Sequence, residues 1–133
     1  MKELNSFIGR WITTGKTVDG KKVIGYDTYE WMQGSKFVIH TVDVTIDGEP
    51  VKSMEIIGQG EHQNEFTSHS FDNNGSINIS IMHFKNNQIT IVSERERFKG
   101  EITAMGKTIE GKWEQPTSNA WTALMDIKLE KED

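Results

Sequence analysis

The sequence predicts an all-β protein, an antiparallel meander closed into a barrel, and three observations predict it. Only two prolines occur in 133 residues, β-branched residues are frequent, and polar pairs interrupt the apolar runs at short intervals. No helical stretch is long enough for a β-α-β crossover, which argues against a parallel sheet. A long meander has edge strands to protect, and closure removes them. A sandwich would need longer Greek-key crossings, and the one candidate, Gln115-Pro116-Thr117-Ser118-Asn119, reads better as a hairpin loop.

Leu4 to Ile8 can form one helical turn before Gly9, too short to anchor a helical fold. About ten strands follow, within an overall range of about eight to ten for the barrel. They are read at Arg10–Thr17, Lys22–Met32, Lys36–Ile46, Val51–Gln59, Glu65–Phe71, Ile77–Lys85, Gln88–Glu94, Arg97–Ala104, Thr108–Glu114 and Trp121–Leu129. The turns between them include Gln33-Gly34, Asp47-Gly48, Asp72-Asn73-Asn74-Gly75, Asn86-Asn87 and Met105-Gly106. Glycine and asparagine there supply the positive φ that tight hairpins need. The whole chain, 1–133, reads as one domain, with the charged ending Lys128 to Asp133 closing the last strand and fraying into solvent.

A formal charge of -5, from 15 basic and 20 acidic residues, argues against nucleic-acid binding, which draws on clustered Lys and Arg. The absence of cysteine removes disulfides, thiol catalysis and cysteine-based metal sites. No apolar run of signal-peptide or membrane-spanning length is present, so the expectation is a cytoplasmic protein without membrane insertion.

Register arguments bring some residues together. The Asp47-Gly48 turn places His40 opposite Glu55, and His40 alternates with Val38, Val42, Val44 and Ile46 on a face expected to point inward. The Met105-Gly106 turn places Ile102 opposite Ile109, Gly100 opposite Gly111 and Phe98 opposite Trp113, an inward face with aromatics at its end and glycines in its middle. Those glycines serve either close approach of a ligand or relief of barrel curvature. His83 follows Ile77, Ile79 and Ile81 at alternate positions, and that face is expected to be interior; its partner across the hairpin is Asn64 or Phe66, depending on the turn. Arg97, read within an extended Glu94-Arg95-Glu96-Arg97 run, is a candidate inward donor to an anionic group. His40, Glu55, His83, Arg97, Phe98, Ile102 and Trp113 are therefore the candidate ligand-binding residues. Glu61, His62, Glu65 and His69 form only a loose metal-like run without a helical HExxH, and no nucleophile elbow, phosphate loop or dinucleotide fingerprint occurs. No cofactor, metal or catalytic residue is assigned.

Several short motifs, in order and spacing, resemble the bacterial lipocalin-like family called domain of unknown function 1579, whose members are similar to calycin barrels. They are Ile8-Gly9-Arg10-Trp11, Tyr29-Glu30-Trp31, Phe37-Val38-Ile39-His40 with Asp43, Glu55-Ile56-Ile57-Gly58, Ser70 to Gly75, Arg97-Phe98-Lys99-Gly100, Gly111-Lys112-Trp113-Glu114 and Met125-Asp126. The resemblance covers almost the whole chain and implies a calycin- or lipocalin-like barrel with a short N-terminal closure and an interior able to accept a small apolar molecule. It implies no particular activity. The leading expectation is non-enzymatic binding of a small hydrophobic or amphipathic ligand inside the barrel. One alternative is a small-molecule hydrolase or isomerase using His40 and Glu55. The other is a filled barrel acting through its outer surface or as a homodimer, because Phe37 and Ile39 oppose Val38, Val42 and Val44 on a strand apolar on both faces.

Overall fold

The computed structural model describes residues 1–132 and shows ten antiparallel strands closed into a barrel. They are β1 (Gly9–Thr17), β2 (Lys22–Trp31), β3 (Val38–Ile46), β4 (Glu49–Gln59), β5 (Glu65–Asp72), β6 (Ile77–Lys85), β7 (Gln88–Val92), β8 (Arg97–Thr103), β9 (Thr108–Pro116) and β10 (Trp121–Lys131). Each strand pairs with its sequence neighbours, and β1 pairs with β10 from Trp11 opposite Lys131 to Thr17 opposite Met125, so among the described residues no strand edge is left unpaired. This is the calycin- and lipocalin-like topology expected from the hairpin pattern. The expected fraying of the last residues does not extend to Lys131, which stays in β10, or to Glu132, whose N–H donates to the Arg10 carbonyl at 2.8 Å. Asp133 lies outside the described residues.

The N-terminal turn is a 3-10 helix, Lys2–Phe7, and it acts as a plug. Leu4 and Phe7 enter the barrel end and meet Trp11, Val38, Ile57 and Phe66, all almost fully buried. Two indole donors pin the plug in place: Trp11 Nε1 donates to the Phe7 carbonyl at 2.8 Å and Trp31 Nε1 to Asn5 Oδ1 at 2.9 Å. The apolar core closes one end of the barrel, and Phe7, Met82, Ile89, Phe98, Ile109 and Leu129 of that core also line the interior space of the site.

Two connections decide which side chains face inward. The β8–β9 pairing has Ile102 opposite Ile109, Gly100 opposite Gly111 and Phe98 opposite Trp113, as the turn at Met105-Gly106 predicts. The glycines there admit neither a ligand nor open space. A Cβ on Gly111 would lie 2.4 Å from Phe98 Cζ, and one on Gly100 2.8 Å from Phe98 Cε2, so the Phe98 ring itself lies across the glycine pair.

The β5–β6 connection departs from expectation. Asp72 caps it, its Oδ1 accepting from the N–H groups of Asn74 at 2.9 Å and Ser76 at 3.0 Å, and Phe71 then pairs with Ile77. The loop therefore holds an odd number of residues, which places Glu65, and neither Asn64 nor Phe66, opposite His83. Parity along β6 follows: Ser80, Met82 and Phe84 are buried, whereas Ile77 and Ile79 are 61% and 58% exposed. The face expected to be interior is the outer one.

Candidate functional site

A chain of five side chains on five consecutive strands crosses the barrel interior. Thr13 on β1 donates its hydroxyl to Asp27 Oδ1 on β2, and His40 on β3 donates from Nε2 to Asp27 Oδ2 at 2.6 Å. His40 also donates from Nδ1 to Glu55 Oε1 at 2.7 Å, and Ser68 on β5 donates its hydroxyl to Glu55 Oε2 on β4. Inward alternation on each strand brings them to one level: His40 lies directly opposite Glu55, while Asp27 reaches His40, and Ser68 reaches Glu55, diagonally. Tyr29 stacks on the His40 ring, centroids 3.9 Å apart and planes 7° from parallel.

The electrostatics follow from this geometry. Burial alone would lower the pKa of His40, but the hydrogen bonds and charges of Asp27 and Glu55 outweigh it and raise it from 6.5 to about 9. Burial likewise pushes the Glu55 carboxyl up, yet the bond and charge of His40 and the Ser68 hydroxyl together hold it below its ordinary value. Burial, reinforced by Asp27 and Glu55, raises the Tyr29 phenol well above its usual value, so it stays neutral. At neutral pH His40 is an imidazolium with both N–H groups committed, without the lone pair that a general base or metal ligand needs.

Beside this chain the barrel encloses a cavity of about 230 Å³. Its walls include Val44, Ile91, Met125 and Ile127, with Phe98 and Trp113 as aromatic lining. Phe98 and Trp113 pack at a 5.2 Å centroid separation, tilted by 52°. His40, Asp27 and Glu55 form the polar part of the wall, joined by Glu96.

Glu96 is the residue that strand reasoning misplaced. Ser93 to Glu96 is a tight turn, in which the Ser93 N–H donates to the Glu96 carbonyl at 3.0 Å and Ser93 Oγ accepts from the N–H groups of Arg95 and Glu96, each at 3.2 Å. The run is not extended, and it delivers Glu96 to the cavity. Burial first, and then the charges of Glu55 and Asp72, raise its pKa against the opposing pull of Arg95.

The seven sequence candidates therefore separate. His40, Glu55, Phe98 and Trp113 come together around the cavity. Ile102 is inward but belongs to the plugged core and does not line the cavity. His83 points outward, its side chain 57% exposed and 3.4 Å from Glu65. Arg97 also lies outside: alternation opposes it to Phe98, and it pairs with Glu114 at 2.8 Å while its guanidinium lies 4.5 Å from the Trp121 ring centroid. Asp27, Thr13 and Ser68 were not among the candidates, although β1–β2 hairpin register could have offered Asp27. Among the described residues, no group of three or more His, Asp or Glu side chains is arranged to hold a metal, the Glu61 to His69 run included.

No protein-family model and no curated protein matches the chain. Solved structures do. A de novo designed fluorescence-activating β-barrel aligns over 99% of both chains with a TM-score of 0.56 and 13% identity. A redesigned barrel, mFAP1, bound to DFHBI, aligns over 98% of this chain and 100% of its own with a TM-score of 0.55 and 11% identity. Another redesigned barrel, b11L5F_LGL, gives a TM-score of 0.50 at 11% identity, over 97% and 94% of the two chains. At such identities the likeness concerns the closed barrel alone.

Proposed function

We propose that this protein binds a compact apolar or amphipathic small molecule inside its barrel and performs no chemistry on it. The observation that carries this reading is the apolar cavity of about 230 Å³ bounded by a fully hydrogen-bonded polar chain. Apolar walls with a few fixed polar groups are the usual make-up of small-molecule sites. A designed barrel of similar length and topology, mFAP1, holds DFHBI, which supports the capacity of such a barrel for a small guest. Membership of the lipocalin-like family named above is part of the same proposal. The engagement of both His40 nitrogens by Asp27 and Glu55 counts against His40 as the base of the hydrolase or isomerase alternative.

Calorimetric titration with propylbenzene tests the reading. Saturable one-to-one binding is expected, weakened roughly tenfold or more by Ile91→Phe, which fills the cavity. Val44→Phe is the second variant if the first unfolds. Binding unchanged in a folded variant would contradict the assignment.

A specific observation also favours the surface alternative. Met54, Phe71, Ile77 and Ile79 stand exposed on the outer face of β4, β5 and β6, in register across the sheet. A mass that rises with concentration would support self-association through that face, and a monomer at all concentrations would count against it.

A further inference from the structure

Every polar side chain of the cavity wall that carries a formal charge is acidic except His40, and His40 is spent on its two carboxylates. The sequence holds 15 Lys and Arg residues, yet among the described residues none lines the cavity. Two carboxylates against one imidazolium leave the Asp27–His40–Glu55 chain with an excess negative charge. Glu96 adds another carboxylate, and among the described residues no hydrogen bond or ion pair reaches its side-chain oxygens. The field inside the cavity is therefore negative, with no Lys or Arg in its described wall and only a partial offset of Glu96 by Arg95 from outside it.

Resting on the binding reading above, we propose that the cavity selects a molecule with an aromatic body and a single ammonium head, with Glu96 as its counter-ion, and rejects carboxylates and phosphates. A negatively charged guest would meet three carboxylates and no free donor cation. A cationic head relieves Glu96, which Arg95 offsets only in part, and Trp113 lines the same cavity as an aromatic partner for a cation. The raised pKa of Glu96 points the same way, since a carboxylate destabilised by burial and like charges gains most from a cation. Size narrows the class further. An apolar cavity of about 150 Å³ accepts benzene, so about 230 Å³ admits one ring and a short chain and excludes a long acyl tail.

Three probes of matched shape separate this from the binding reading itself: phenethylamine, propylbenzene and hydrocinnamate, each titrated calorimetrically into the full chain at neutral pH. Phenethylamine is expected to bind at least about tenfold tighter than hydrocinnamate, and Glu96→Gln, checked for cooperative unfolding, is expected to reduce that preference to less than about threefold. Hydrocinnamate binding as tightly as the amine would overturn the charge preference while propylbenzene binding kept the hollow barrel. A preference surviving Glu96→Gln would overturn the role of Glu96. Failure of all three probes to bind would overturn both readings together.

Discussion

Both N–H groups of His40 face carboxylates, Asp27 at 2.6 Å and Glu55 at 2.7 Å, and this fixes the sign of a pH dependence. Its pKa is higher in the folded chain, about 9 against 6.5, so its contribution is fully present below pH 6.5 and is lost as pH rises through 9. That shift corresponds to about 3 kcal/mol at the upper limit. Glu55, whose pKa is depressed, acts in the opposite direction: its contribution is present above its unfolded value and is lost as pH falls through the folded one. Urea unfolding at mildly acidic and at strongly alkaline pH should show the alkaline loss in the native sequence, and His40→Gln should flatten it. Equal stability at both pH values in the native sequence would contradict the clamp. The His40–Glu55 pair was legible in the sequence because a two-residue Asp-Gly turn sets its register. Asp27 was harder to see, since it meets His40 diagonally and stands directly opposite Val42.

At the level of strands and turns, legibility depended on whether a loop's residue count could be read. The Met105-Gly106 region gave the correct β8–β9 register, although Ala104 and Met105 also adopt positive φ, at 52° and 59°. The Asp72 loop did not, because the capped loop holds an odd number of residues and so sets Glu65, and neither Asn64 nor Phe66, opposite His83. The inward expectation for His83 came from hydrophobic alternation, and it misled because β6 carries apolar side chains on both faces, Ile77, Ile79 and Ile81 outside and Met82 and Phe84 inside. Glu96 escaped for a related reason, a tight turn held by Ser93 inside a run that alternates like a strand. On β9, Gly111 leaves room for the Phe98 ring, 2.4 Å from where a Cβ would stand, with the Lys99 carbonyl 2.6 Å away. Gly111→Ala is therefore expected to cost about 1–3 kcal/mol through overpacking. It should also displace Phe98 from Trp113. Thermal unfolding and Trp fluorescence read both effects, and a variant unchanged in stability and emission would show that the ring yields freely.

The whole barrel was the most legible feature, because closure solves a problem that every long meander has and every connection is short. The division of its interior was not legible. Inward alternation identifies the side chains inside but not which end is filled, and that depends on a short 3-10 helix whose Leu4 and Phe7 close one end. Ile102 and Phe98 share an inward face and the same buried core, yet Phe98 also lines the cavity and Ile102 does not. On the proposed function, the cavity inside the barrel, and not the apolar outer face of β4 to β6, receives a small molecule. Methyl-resolved NMR during a titration with propylbenzene tests it directly. Shifts concentrated in Val44, Ile91 and Met125 are the predicted result; shifts confined to Met54, Ile77 and Ile79, or no saturable shifts, would contradict it.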